Sequence, residues 1–163
     1  MTGKSAVASL MTPRPIVVTV DTSLAEVAEL LDRGGISGVP VVDLGGYLVG
    51  VLSRTDLVRA RTNEALWGRW PTLTARDLMS SPAVTIAATA PIEEAARLME
   101  REGVHRLVVV GDDGETPIGI LSIGDLVHEI AAHREEEWSL GDIGGRRAGG
   151  PGGDSPARPW PVR

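Results

Sequence analysis

The stretch "GVLSRTDL", Gly50 to Leu57, returns almost unchanged as "GILSIGDL", Gly119 to Leu126. Taken singly, Ser53-x-x-Asp56 reads as a capping box. The hydroxyl accepts from the backbone N–H three residues on, and the carboxylate sits at the positive end of a helix dipole. Such a cap needs no ligand. Its recurrence says something about the whole chain. At an offset of 68, Leu10-Met11-Thr12 matches Leu78-Met79-Ser80, and Leu24, Ala28, Leu31 and Gly35 match Ile92, Ala96, Met99 and Gly103. Val41-Val42 matches Val109-Val110 at the same offset. One residue is then added in a turn, and Gly50, Ser53, Asp56 and Leu57 pair with Gly119, Ser122, Asp125 and Leu126 at an offset of 69. A register this long with one single-residue gap is an internal repeat.

Each copy predicts the same elements. A β-rich stretch opens it, Ile16 to Val20 or Ala83 to Ile86. A helix follows, with Leu24, Val27, Ala28 and Leu31 on one apolar stripe in the first copy and Ile92, Ala95, Ala96 and Met99 in the second. Ser23 with Glu26 caps the first of these helices, Pro91 suits the first turn of the other, and Gly35 and Gly103 suit their C-terminal stops. Two strands then flank a Gly-rich turn, "LGG" or "GDDG". A second helix begins at the S-x-x-D. The chain is expected to be α+β, with the order β-α-β-β-α twice. The expected divisions are a first repeat over 1–62, a linker over 63–76, a second repeat over 77–134 and a tail over 135–163. Trp67 and Trp70 in the linker read as buried against the domain or a second copy, with stacking on a ligand as the alternative. The tail is Gly- and Pro-rich and lacks an apolar periodicity, which predicts disorder; Arg146, Arg147 and Trp160 as a docking segment are the alternative.

Bulk composition narrows the function classes. Of the 163 residues, 42% are hydrophobic and 23% charged, ordinary for a globular chain. A net charge of −6 with no basic run argues against nucleic acid or an anionic membrane surface as partner. There is no Cys, which excludes disulfides, thiol catalysis and thiolate metal sites and fits a cytoplasmic protein. The N-terminus has no sustained apolar stretch and does not read as a signal peptide. No apolar run approaches the ~20 residues that span a bilayer. Phe is absent and Tyr47 is the single tyrosine, so the core must be aliphatic. No Walker motif, H-E-x-x-H or G-x-S-x-G occurs, and His128 and His133 fall on the last helix. The acids Asp112-Asp113 and Glu135-Glu136-Glu137 read as solvated turn and helix-end charges. No catalytic residue and no metal site is expected.

The repeat resembles a pair of CBS domains, named for cystathionine β-synthase, in the arrangement called a Bateman module. The resemblance covers roughly Ser5 to His133. Its residues are Leu10-Met11-Thr12-Pro13, the run Gly35 to Asp43 and "GVLSRTDL" in one copy. In the other they are Leu78-Met79-Ser80, the run Gly103 to Val110 and "GILSIGDL". It implies two repeats packed about a pseudo-twofold axis, helices outside, and two equivalent clefts between them. It also implies that the motif Asp takes the ribose hydroxyls of an adenosine nucleotide, with Ser/Thr and the helix N-terminus facing the phosphates and apolar side chains holding adenine. The physics agrees: a helix start offers N–H donors to an anion, and a carboxylate suits paired hydroxyls.

Carried over, the first cleft uses Val51, Ser53, Thr55 and Asp56, with Ala83 and Val84 near the base and His105-Arg106 near the phosphates. The His-Arg pair resembles the phosphate-contacting pair of the γ subunit of AMP-activated kinase. The alternatives are an exposed strand-end histidine and a solvated arginine. Arg54 either adds charge to this cleft or points outward. The second cleft uses Ile120, Ser122 and Asp125, with Pro15, Ile16, Ile36, Ser37 and Gly38 across from them. There Gly124 replaces Thr55 and Ser37-Gly38 replaces His-Arg, so this cleft is expected to bind phosphates more weakly, take an uncharged nucleoside-like ligand, or stay empty. The implied function is a regulatory module that senses AMP, ADP, ATP or S-adenosylmethionine in the cleft between repeats, passes a conformational change to another protein, and forms a homodimer through its helices. The alternative is a ligand-independent interaction or structural protein. Composition rich in Gly, Ala, Val and Arg suggests a GC-rich bacterial source.

Overall fold

The computed structural model describes the backbone of residues 5–141 and side chains from 5 to 132. The expectations for the tail beyond Gly141, and for the side chain of His133, lie outside the described residues. A first compact unit ends at Ile130, and the second begins at Ala131. The architecture below is that of the first.

Each copy builds a small sheet from its own strands. In the first, β2 (Val18–Thr19) runs parallel to β3 (Gly38–Val42), which pairs antiparallel with β4 (Leu48–Ser53). In the second, β5 (Thr85–Ala87), β6 (Arg106–Val110) and β7 (Pro117–Ser122) repeat this. The β-rich openings are shorter than the sequence suggests, two and three residues. Helices α2 (Leu24–Arg33) and α6 (Ile92–Glu102) follow, and the second-motif helices are α3 (Arg54–Thr62) and α7 (Ile123–Gly141).

The local signals explain the boundaries. Ser23 and Glu26 form the reciprocal capping box on α2. Gly35 and Gly103, just past α2 and at the end of α6, take φ of 60° and 64°, the left-handed conformation glycine adopts without penalty. Leu24, Val27 and Leu31 are buried along the apolar stripe of α2, and Ala95 and Met99 along that of α6.

The start of each repeat seats on the other repeat. Helix α1 (Val7–Leu10) buries Val7 in the second core, beside Leu107, Val109 and Leu121. Strand β1 (Thr12–Pro13) then joins the edge of the second sheet, Thr12 opposite Ile120. The reciprocal contact is made between the copies. After α4 (Glu64–Gly68) and a 3-10 turn at Trp70–Thr72, Leu73 and Ala75, the first residue of α5 (Ala75–Leu78), enter the first core with Leu24, Val39 and Leu52. Ser80 bridges Val51, with N–H donors in both directions at 3.0 and 2.9 Å. The floor of this crossing is glycine: a Cβ on Gly50 would lie 2.7 Å from Met79 Sδ, and one on Gly119 2.5 Å from Met11 Sδ. Trp70 is half-buried against the first core, while Trp67 is 42% exposed, tilted at 5.2 Å from Trp70 with Arg61 over its ring. Among the described residues no helix is long and apolar enough to cross a membrane.

Candidate functional site

Both motif helices start with the same device. Ser53 precedes α3; its Oγ accepts from the Asp56 amide at 3.3 Å and donates to Asp56 Oδ2 at 2.6 Å, while its own amide donates to Oδ2 at 2.8 Å. Ser122 and Asp125 reproduce this at 3.3, 2.7 and 2.7 Å. Each cap commits one carboxylate oxygen and leaves Oδ1 for an outside donor. The helix starts are less open than the dipole argument implies. Arg54 N–H donates to Ser37 O at 3.0 Å and Ile123 N–H to His105 O at 2.8 Å. With Asp56 and Asp125 amides also engaged, the amides of Thr55 and Gly124 are those left to meet an anion.

The eight residues expected for the second cleft, Pro15, Ile16, Ile36, Ser37, Gly38, Ile120, Ser122 and Asp125, line one cavity of about 390 Å³. Ile16, Ile36 and Ile120 give it apolar walls, and Ser122 and Asp125 a polar end. Thr12, Arg14 and Gly35 complete the lining and were not anticipated. Arg14 places a cationic residue in this lining, brought by the lead-in segment and not by the strand that carries Gly38. Its counterpart at the offset of 68 is Pro82, so matching the repeats gave no sign of it.

The residues expected for the first cleft sit as follows. Val51 is tied to Ser80, and Ala83 and Val84 continue from it half-buried, Val84 O accepting from Val108 N–H at 3.0 Å. Thr55 is exposed beside the Ser53–Asp56 cap. Arg54 donates from Nη2 to Leu31 O at 2.8 Å, so its guanidinium serves the C-terminal end of α2. His105 and Arg106 part company, His105 lying in the bend before β6 and Arg106 opening the strand. His105 is exposed and lines a groove between α6 and α7 with Ile123 and Val127. Arg106 turns across the pseudo-twofold onto its own repeat counterpart, Gly38, where a Cβ would collide with Nη1. That Nη1 is buried without a hydrogen-bond partner. Burial lowers the pKa of Arg106, and attraction to Asp56 opposes the shift. A buried, unpartnered donor of this kind costs about 1–3 kcal/mol. Among the described residues no cluster of His, Asp and Glu is placed to hold a metal.

Two five-element repeats exchanging lead-ins across paired clefts define the class. A family model described as the CBS domain matches residues 7–63 and again 75–132, and the chain belongs to that family. An uncharacterised protein of Methanocaldococcus jannaschii is 32% identical over 146 residues, covering 72% of this chain and 86% of that one. The crystal structure of Arabidopsis thaliana CBSX2 in complex with AMP is 33% identical, covers 79% of this chain and 98% of its own, and superposes with a TM-score of 0.67. A CBS domain protein from Pyrobaculum aerophilum complexed with AMP is 27% identical over 82% of this chain and 99% of its own, with a TM-score of 0.69.

Proposed function

We propose that this chain is a regulatory module that senses an adenosine nucleotide, AMP before ADP, ATP or S-adenosylmethionine, in the clefts between its repeats and passes the change to a protein partner. The observation that carries the reading is the second cleft. A cavity of about 390 Å³ falls in the range of small-ligand sites, has isoleucine walls suited to a purine, and ends in a carboxylate with one oxygen uncommitted. The AMP complexes of two relatives support the same ligand class. The first cleft has the same cap, the Thr55 hydroxyl and Arg106. A role in regulation and not in catalysis, in the cytoplasm, fits a chain whose candidate residues form a binding set.

A homodimer formed through the helices is part of this reading. Ile123, Val127 and Ile130 lie along one face of α7 with exposures of 48, 59 and 65%, and Val58, the counterpart of Val127 on α3, is 64% exposed. Sedimentation equilibrium tests it, and a monomer at all concentrations refutes it. The ligand reading is tested by calorimetry with AMP on the natural chain, Asp56→Ala and Asp125→Ala. Each substitution is expected to remove binding in its own cleft. Unchanged affinity in both variants overturns the assignment of these carboxylates. Failure of the natural chain to bind AMP, ADP, ATP or S-adenosylmethionine at millimolar concentration favours the ligand-independent interaction protein.

A further inference from the structure

The second cavity contains a feature that neither the repeat nor the cap accounts for. Arg14 has a φ of 52°, the one non-glycine residue with positive φ among the described residues. The left-handed region costs an L-residue roughly 1–2 kcal/mol, and glycine or asparagine would meet the same turn more cheaply. The turn itself is fixed by the Arg14 amide, which donates to Ile118 O at 3.0 Å, just after β1 pairs with β7. None of these backbone needs calls for a long cationic side chain. The guanidinium makes no hydrogen bond or ion pair with any described residue, yet Arg14 lines the same cavity as Ser122 and Asp125. Backbone strain retained where a charged side chain meets a cavity points to a binding role.

We propose that Arg14 anchors the anionic group of a ligand in the second cleft and so sets that cleft's preference for a phosphate-bearing over an uncharged nucleoside. The proposal rests on the adenosine-ligand reading above and reverses the expectation that this cleft is poor in phosphate contacts. Asp125 Oδ1 takes hydroxyl donors at one end, the isoleucines hold the base, and the guanidinium takes the phosphate oxygens, a pairing its planar fork suits.

The test is calorimetry with AMP and with adenosine on the Asp56→Ala chain, where binding reports the second cleft, and on the same chain carrying Arg14→Asn. Arg14→Asn is expected to weaken AMP about 10- to 100-fold, as loss of a charge-assisted contact does, and to leave adenosine within about twofold. Thermal stability should hold or rise, because asparagine tolerates the left-handed backbone; a purely structural Arg14 would show that gain with no change in the AMP-to-adenosine ratio. An unchanged ratio, or an equal loss of both ligands, overturns the proposal. If the natural chain binds AMP and the Asp56→Ala chain binds neither ligand, the proposal falls while the module reading stands. If the natural chain binds neither, both fall.

Discussion

In the first cleft Asp56 is attracted to Arg106, which arrives on β6 from the other repeat; in the second, Asp125 shares its cavity with Arg14, which arrives on the lead-in beside β1. The strand position that holds Arg106 in one half holds Gly38 in the other, and the lead-in position that holds Arg14 holds Pro82. The caps are identical to within a tenth of an ångström, and the cations are not even on the same element. Repeat symmetry therefore governs what the backbone needs and leaves charge free to differ. A cap is dictated by helix geometry in both copies. A cation is not dictated by helix geometry, and the two halves carry theirs on different elements.

The comparison can be broken first at the crossing that makes both clefts. Gly50→Ala and Gly119→Ala are each expected to lose about 1–3 kcal/mol in urea unfolding, because the added Cβ meets the opposite lead-in. Gly50→Ala should be the worse: its Cβ would lie 2.8 Å from the backbone oxygen of Ser80, whereas the backbone oxygen facing residue 119, that of Thr12, is 3.2 Å away and the flexible Met11 gives first. Two neutral substitutions would mean that the lead-ins do not seat on the neighbouring sheet.

A smaller effect separates the cations. Gly38→Ala pushes the Arg106 guanidinium from its seat at a cost of about 1 kcal/mol or less, since the obstacle is mostly the end of a flexible side chain. Calorimetry should show weaker AMP binding in the first cleft, read in an Asp125→Ala background, with adenosine affinity held. Equal affinities before and after would show that the seat does not matter to that site.

The smallest effect contrasts the two hairpin turns. Asp43 Oδ1 accepts the amides of Gly45 and Tyr47 in the first. In the second, the Thr116 hydroxyl and then the amides of Thr116 and Glu115 hold the Asp113 carboxyl down to about 2. A carboxyl depressed in the folded state stabilises above its unfolded value of about 3.9 and loses that contribution as pH falls through about 2. Asp113→Asn is expected to lower stability slightly at pH 7, with the difference from the natural chain shrinking between about pH 4 and 2. A difference that is constant with pH would rule out the ionised turn as its cause.

Much of the fold was legible because its signals are local. The S-x-x-D caps, the stripe of Leu24, Val27 and Leu31, and Gly35 and Gly103 each act within a turn or two of chain. Eight of the eleven residues that line the second cavity were named through the family resemblance of that same motif. Arg54 was not decidable in this way, since its partner Leu31 is 23 residues away. The exchange of lead-ins was hidden too: nothing in "LMT" or "LMS" says which sheet edge it will join, and Val7, Leu73 and Ala75 give too short an apolar pattern to assign to a core.

The sequence by itself determined the repeat, the elements and the carboxylate at each helix start, because caps, turns and amphipathic periodicity are properties of neighbouring residues. Only the tertiary structure decided which half supplies each core with its lead-in, that Arg106 rests on Gly38, and that Arg14 reaches the second cavity. Those are contacts between residues far apart in the chain, set by steric fit across an axis and by where a strained turn sends a side chain, and no spacing along the sequence encodes them.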